Sequence, residues 1–283
     1  MSTSPVASSH CDSPPPSLSR ARLAAGLLAV AMTVLGFLMT VDLNSKYKCE
    51  HDFHHGIDSP VLSVELASNA TELKKAVNPE CKNVPDPSTK AEEAKAVLVR
   101  NTVADCFFIP LYTLFVWCFG YLFAVRADGS QMWHRHPLTG LTIATAAADY
   151  LENIGIFRAL GGGISDQVAQ WTCWPSRVKW TLLGLALLLT FVILLRSENP
   201  IYSLATRRLL AIGYLASGIL LVVGPWFPVF IGLAVSIFAL LVLLQALALL
   251  GPYVSDWIPA DQPKYENDFC ERRQREHLIA VHE

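Results

Sequence analysis

Long apolar runs separated by short polar segments dominate the sequence. The runs cover residues 21–41, 103–125, 138–160, 178–195, 208–225 and 227–250. Each approaches the roughly 20 residues that an α-helix needs to cross the hydrocarbon core of a bilayer. The pattern therefore predicts an all-α transmembrane fold, a six-helix bundle with a short extracytoplasmic loop region between its first two helices.

The third apolar run is interrupted by polar side chains near its middle. Asp149, Glu152 and Asn153 are three and four residues apart, which places them on one face of a helix. Two carboxylates at a helix centre cost about 5–7 kcal/mol on insertion scales, whereas the large apolar residues of the run offset about 2.5–5 kcal/mol. This face is therefore expected to contact protein or water rather than lipid.

Composition supports a membrane protein and excludes other classes. The 283 residues are 52% hydrophobic and 16% charged, with a mean hydropathy of +0.37, whereas a soluble domain carries about 25% charged residues. The net charge of −2 says little by itself, because the basic residues are distinguished by their positions rather than their number. The lipid bilayer is the predicted partner, and no nucleic acid is expected.

The positions of the basic residues predict the orientation. Four groups fall on one side if both termini are cytoplasmic, as the positive-inside bias expects: Arg20 with Arg22, Arg126 with Arg135, Arg196 with Arg207 and Arg208, and Arg272 with Arg273 and Arg275. A cleaved signal peptide over residues 1–45 is the alternative, but the apolar stretch is long for one and no small-x-small cleavage site follows it.

These observations divide the chain into five parts. They are a disordered cytoplasmic tail at 1–20, a transmembrane helix at 21–41, an extracytoplasmic loop with short helices at 42–100, a five-helix transmembrane core at 101–251 and a cytoplasmic tail at 252–283. Within the loop, Pro60 to Val77 is expected to form one amphipathic helix. Residues 91–100 are expected to form a helix that continues into the second span without a breaker.

The loop also carries candidate covalent features. Asn69 begins a glycosylation sequon, although such tripeptides occur often by chance. Cys49 and Cys81 are a candidate disulfide if the compartment is oxidising. The stretch from Cys49 to His55 holds several metal-ligand types, but structural zinc sites use regular spacings on opposing elements. No resident metal and no cofactor are therefore predicted.

Other polar residues reach the depth of the acidic face. Asp105 and Tyr112 lie in the second span, Arg158 ends the third, and Lys179 opens the fourth. The candidate site for a substrate or a proton therefore comprises Asp149, Glu152, Asn153, Asp105, Tyr112 and Lys179. The structural alternative is that Asp149 or Glu152 pairs with Lys179 or Arg158 and fixes helix packing.

Short strings in this region resemble a scattered group of small polytopic membrane proteins. The strings are ValGluLeuAla at 64–67, AspCysPhePheIleProLeuTyr at 105–112, AlaAspTyrLeuGluAsn at 148–153 and Lys179-Trp180. They are similar to that group's order of D-F-x-P-x-Y, D-x-x-E-N and K-W, with Cys106 inserted after Asp105. The resemblance covers roughly residues 60–195 and implies a membrane-embedded module whose polar positions belong together, without implying a reaction.

Three hypotheses of function follow from these residues. In a small-solute or proton-linked carrier, Asp149 accepts a proton or cation, Asn153 is a neutral ligand and Lys179 is the counter-charge. In a membrane assembly or scaffold protein, the polar groups hold the helices together, and the outer loop or the C-terminal tail docks a protein partner. In an enzyme acting on lipid at the outer leaflet, Asp105 or Glu152 is the general base, but the sequence holds no familiar nucleophile or metal motif.

Overall fold

The computed structural model describes residues 16–46, 59–78, 86–124, 135–197 and 202–255, and these residues fold into α-helices without strands. The helices are α1 (Pro16–Lys46), α2 (Pro60–Glu65), α3 (Ala70–Val77), α4 (Pro87–Ala124), α5 (Arg135–Leu160), α6 (Asp166–Arg196), α7 (Leu204–Val223) and α8 (Val229–Ser255). The predicted Cys49–Cys81 disulfide, the Cys49–His55 segment and most of both tails lie outside the described residues.

Five of these helices, α1, α4, α6, α7 and α8, are long and apolar enough to cross a membrane. Their outward faces expose large apolar side chains such as Phe37 (67%) and Leu247 (65%), as expected of helices surrounded by lipid. α5 has 26 residues, which is about 39 Å of helix at roughly 1.5 Å per residue, but it carries the acidic residues. The chain is a multi-pass integral membrane protein.

The six long helices form a ring in chain order. α1 packs on α4, and α4 on α5; α6, α7 and α8 follow, and α8 packs back on α1. At this last junction the Arg22 guanidinium donates to the carbonyls of Leu249 (3.2 Å) and Ala248 (3.3 Å). The Ala248 carbonyl lacks its helical donor because Pro252 has no N–H. The start of α1 and the end of α8 therefore lie at the same end of the ring.

An aromatic row on α4 fills the centre of the ring. Phe115, Phe119 and Phe123 are fully buried, and the Phe119 ring lies 5.8 Å from Tyr214 of α7 while Phe123 lies 5.3 Å from Tyr202. The Tyr214 hydroxyl is hydrogen-bonded to Gln245 of α8. Ring contacts of this kind add to apolar burial, so α4 ties α7 into the bundle.

Two of the helices extend past their predicted boundaries. α1 begins at Pro16, inside the predicted disordered tail, because proline suits the first helical turn, where no N–H partner is needed. α4 begins at Pro87, inside the predicted loop, where the Asp86 carboxylate caps it by accepting the backbone N–H of Thr89 (3.2 Å). α4 then continues unbroken into the apolar region, as predicted.

α2 and α3 together form a cap (Pro60–Val77) over one end of the ring. The prediction of a single helix here is wrong, because Asn69 starts a new one. Its side-chain oxygen accepts the Glu72 backbone N–H (3.0 Å), and the Glu72 carboxylate accepts the backbone N–H of Ser68 (2.8 Å). Such reciprocal bonds resemble a capping box, which favours a helix start at this position. The sequon asparagine is thus a helix cap.

The cap packs on the ends of α4, α5 and α6. Its buried Val64, Leu73 and Val77 join an apolar cluster with Leu98, Ile156 and Ala169 of those helices. The Asp166 carboxylate at the start of α6 also accepts the Ala70 backbone N–H (2.7 Å). The cap therefore covers the half of the ring that contains the acidic helix, and we call this end of the ring the capped end.

Backbone contact between α6 and α7 yields a stability prediction. A Cβ at Gly184 would lie 2.8 Å from the Gly218 carbonyl oxygen and 2.9 Å from the Val222 nitrogen, and small residues permit such close helix approach. We expect Gly184→Leu to destabilise the bundle by at least the ~1–3 kcal/mol of overpacking, seen as a lower melting temperature in detergent. Gly140→Leu is the control, since no heavy atom lies within 4 Å of its Cβ position. Equal melting temperatures for the two variants would contradict the packing.

Candidate functional site

The Lys179 ammonium lies at the centre of a buried polar cluster beneath the cap. Its Nζ is 2.8 Å from Glu152 Oε1, 3.0 Å from Asp149 Oδ1 and 3.4 Å from Glu65 Oε2. Lys179 is 5% exposed, and its Nζ also lies 4.7 Å from the centre of the Trp180 ring. Charge-assisted bonds and an aromatic face are the usual environment of a buried ammonium.

Asp149 connects Lys179 to α4. While its Oδ1 faces the ammonium, its Oδ2 accepts the hydroxyl of Tyr112 at 2.9 Å. Both residues are buried. The predicted association of Asp149, Tyr112 and Lys179 is therefore present in the structure, and it links α4, α5 and α6 at one depth.

Glu65 belongs to the site although it was not among the predicted residues. Its Oε2 accepts the Ser176 hydroxyl (3.3 Å) and the Trp180 indole N–H (3.2 Å), besides facing Lys179. Sequence reasoning assigned the segment around it to the outer loop and did not place it by depth. The signal available was an acidic residue between two apolar ones, Val64 and Leu66, at the end of a short helix.

Asn153 extends the cluster toward the lipid-facing side of α4. Its amide Nδ2 donates to Asp105 Oδ2 at 2.9 Å and lies 3.6 Å from the Cys106 sulfur. Asn153 is buried and Asp105 is half-buried. Asp105 thus joins the site through an amide rather than by direct contact with Lys179.

The interior proline of α4 supplies a further anchor between α4 and α5. Pro110 has no N–H, so the carbonyl four residues earlier, that of Cys106, loses its helical donor. The hydroxyl of Tyr150 donates to this carbonyl at 3.2 Å. Tyr150 therefore fixes α5 against the turn that carries Asp105.

Charge and hydrogen bonding are unbalanced at this site. Glu152 is 1% exposed, and its Oε2 has no hydrogen-bond partner among the described residues. Three carboxyl groups contact one ammonium, and Asp105 lies behind Asn153. If every group were ionised, the three contacts would leave two uncompensated negative charges in a buried region, where unpaired charge is strongly disfavoured. The arrangement is suited to taking up protons or small cations.

The structure thus brings together all six predicted site residues and separates one neighbour from them. Asp149, Glu152, Asn153, Asp105, Tyr112 and Lys179 form a continuous set of contacts. Arg158 is exposed at the end of α5, so its expected place in the cluster was wrong. Its position two residues beyond the buried Ile156 turns it away from the face of Glu152. Lys179 alone, among the described cations, contacts the acidic groups.

No group of three or more His, Cys, Asp or Glu side chains in the described part of the chain has the arrangement of a metal site. Each carboxyl in the cluster faces the Lys179 ammonium, a hydroxyl, an indole or an amide instead.

Four separate stretches of the sequence meet in this cluster. Glu65 comes from the cap, Asp105 and Tyr112 from α4, and Lys179 from α6, while α5 provides its acidic face. Comparison with known proteins adds no further guidance: no family model, curated protein or solved structure matches this chain.

Proposed function

We propose that the protein is a membrane carrier for protons or a small singly charged solute, and that the Lys179 cluster is its binding site. The observation that carries the proposal is the buried Glu152 Oε2, which has no hydrogen-bond partner among the described residues beside three carboxyl groups that share one ammonium. A packing staple needs no surplus of acidic groups, whereas a cation site does.

The parity of the ring supports six membrane crossings. Arg22 near the start of α1 bonds to the last turns of α8. The chain therefore enters and leaves the ring at the same end, which requires an even total number of spans, α1 and α8 included. α5 lies antiparallel to α4, because Asp105 meets Asn153 while Tyr112 meets Asp149. α5 is the sixth span in this proposal, with its acidic face turned inward and residues such as Ile143 facing lipid (61% exposed).

The same geometry supports the predicted orientation. The ring end opposite the cap carries the start of α1, the end of α8 and the basic residues Arg22, Arg135, Arg196 and Arg207. Basic residues near the ends of spans favour the cytoplasmic side. In the proposed topology both termini are therefore cytoplasmic, and the cap with the Asn69 sequon lies on the other side.

A flux measurement tests the proposal. Purified protein is reconstituted in liposomes that contain a pH-sensitive dye, with the membrane potential clamped by potassium and valinomycin. We expect the protein to dissipate a pH gradient faster than protein-free liposomes, either alone or when an inward gradient of sodium or methylammonium is added. Rates equal to those of protein-free liposomes under all these gradients would contradict a carrier.

The scaffold hypothesis retains one specific observation in its favour. Lys179 bridges Asp149 and Glu152 of α5 from α6, as a packing staple would. The two functions differ in what neutral variants do. Under the scaffold hypothesis Asp149→Asn lowers the folded yield, and crosslinking recovers a defined protein partner. Under the carrier hypothesis the same variant folds and loses flux.

A further inference from the structure

Glu65 is the one acidic member of the site that the cap supplies. Its Oε2 contacts Lys179, Ser176 and Trp180, all on α6. α2 and α3 contain only 6 and 8 residues, and helices this short depend on tertiary contacts to persist. Glu65 is therefore both a ligand of the site and a polar fastening between the cap and the bundle.

The strength of this fastening depends on the charge of the groups that face Glu65. Lys179 attracts the Glu65 carboxylate, whereas ionised Asp149 and Glu152 repel it; Asp105 lies further away behind Asn153, and Tyr112 is a neutral donor. With Asp149 and Glu152 both ionised, the site without Glu65 carries one net negative charge. A proton or a monovalent cation on either carboxyl brings that sum to zero. This removes one of the two repulsions, so Lys179 holds Glu65 more strongly than it does in the unloaded site.

We infer that the cap is a gate that closes when the site is loaded: a cation at Asp149 or Glu152 draws Glu65 onto Lys179, and an empty site releases it. This rests on the proposed carrier function, since it assigns the gate to the same cation site. The unpartnered Glu152 Oε2, 1% exposed, marks where the cation is taken up. In this proposal the site opens toward the capped end when the cap is released.

A native cysteine reports on the position of the cap. Cys173 of α6 is 4% exposed, and its sulfur lies 3.7 Å from the Leu66 carbonyl at the end of α2. A water-soluble maleimide reaches this thiol only when α2 moves away. The measurement uses full-length protein in nanodiscs, in which the other six cysteines are replaced by serine: Cys11, Cys49, Cys81, Cys106, Cys118 and Cys270.

The test is a double-mutant cycle of maleimide labelling rates. Glu152→Gln mimics the site after a cation has neutralised Glu152. When Glu65 is present, we expect this substitution to slow Cys173 labelling about tenfold. That change corresponds to a smaller free energy than the interaction between two unit charges about 4 Å apart near a protein surface. In the Glu65→Gln background the same substitution should leave the labelling rate unchanged, because the ion pair between residue 65 and Lys179 is absent. Lys75→Gln changes an exposed side chain of α3 and is the control. It should not alter the Cys173 labelling rate, with or without Glu152→Gln.

Several outcomes would overturn the gate. Charge coupling between the two residues is excluded if Glu152→Gln changes the Cys173 labelling rate equally with Glu65 present and with Glu65→Gln. It is also excluded if Glu152→Gln speeds labelling when Glu65 is present. If Glu152→Gln does not fold, Asp149→Asn replaces it with the same expected direction, and Trp180→Phe offers a second way to weaken the latch because it removes the indole donor. Failure of the carrier is seen separately, as absence of flux in liposomes while the labelling cycle still holds.

Discussion

Replacing Lys179 with methionine is expected to reduce the yield of folded protein more than any other single change at the site. Its ammonium contacts Glu65, Asp149 and Glu152, and methionine would leave these buried carboxyl groups facing one another. Removing one partner of a buried ion pair costs about 3–5 kcal/mol. The measurement is the monodisperse fraction and the melting temperature of the detergent-extracted protein.

Two further variants make this expectation specific. Arg158→Met also removes a basic residue near the same end of the bundle, but Arg158 is exposed, so its melting temperature should stay close to that of the wild type. Adding Glu65→Gln, Asp149→Asn and Glu152→Gln to Lys179→Met should recover much of the lost yield, since a site without these carboxyl groups no longer needs the ammonium. A Lys179→Met protein as stable as the wild type would mean that the carboxyl groups are already neutral.

The second large effect is expected on flux rather than on folding. We expect Asp149→Asn to reduce proton or cation movement in liposomes to the level of protein-free liposomes while the folded yield is retained. Asparagine keeps an oxygen that can accept the Tyr112 hydroxyl, now bonded at 2.9 Å, but it cannot accept a proton or balance a cation at the pH of the assay. Glu152→Gln should act in the same way.

The matched control is Glu92→Gln, which removes an exposed carboxylate from α4 outside the site. Its flux should equal that of the wild type. Undiminished flux in a well-folded Asp149→Asn protein would exclude Asp149 from the transport step. Loss of folded protein without any measurable flux in the wild type would instead favour the scaffold hypothesis.

Depth along a membrane helix was the part of the site that the sequence could provide. An α-helix fixes the rise between residues, so the levels of Asp105, Tyr112 and Asp149 follow from the spans alone. Alternating spans then place Lys179 at the same level. In the structure Asp149 contacts both Tyr112 and Lys179, as these depths allow.

The sequence did not fix the rotation of each helix about its own axis or the position of the outer loop. Depth alone placed Arg158 near Glu152, but six residues of an α-helix turn it about 120° away from that side chain, and the structure exposes Arg158. Glu65 lies in a segment with no span to fix its depth. Its position depends on the capping of α3 by Asn69 and on the apolar contacts that set α2 against α6.

Hydropathy by itself was ambiguous only for α5. The other five long helices satisfy the criteria for a membrane span, whereas the acidic residues of α5 oppose its insertion as an isolated helix. The neighbours that neutralise this cost, Lys179 on α6 and Tyr112 on α4, are distant in sequence. The hydropathy of α5 alone was therefore insufficient to decide whether α5 spans the membrane. That decision also required the contacts of Asp149 and Glu152 with other helices.

The closure of the ring between α1 and α8 has a consequence for biogenesis. Every other interface in the ring joins long helices that are consecutive in the chain, so it can form as synthesis proceeds from the N-terminus. The partners of Arg22 on α8 and the Leu250 side chain that packs against Gly26 are made last. One face of α1 therefore has no helix partner until α8 is inserted. The helices that form the site, α4, α5 and α6, are all synthesised before the α1–α8 interface forms.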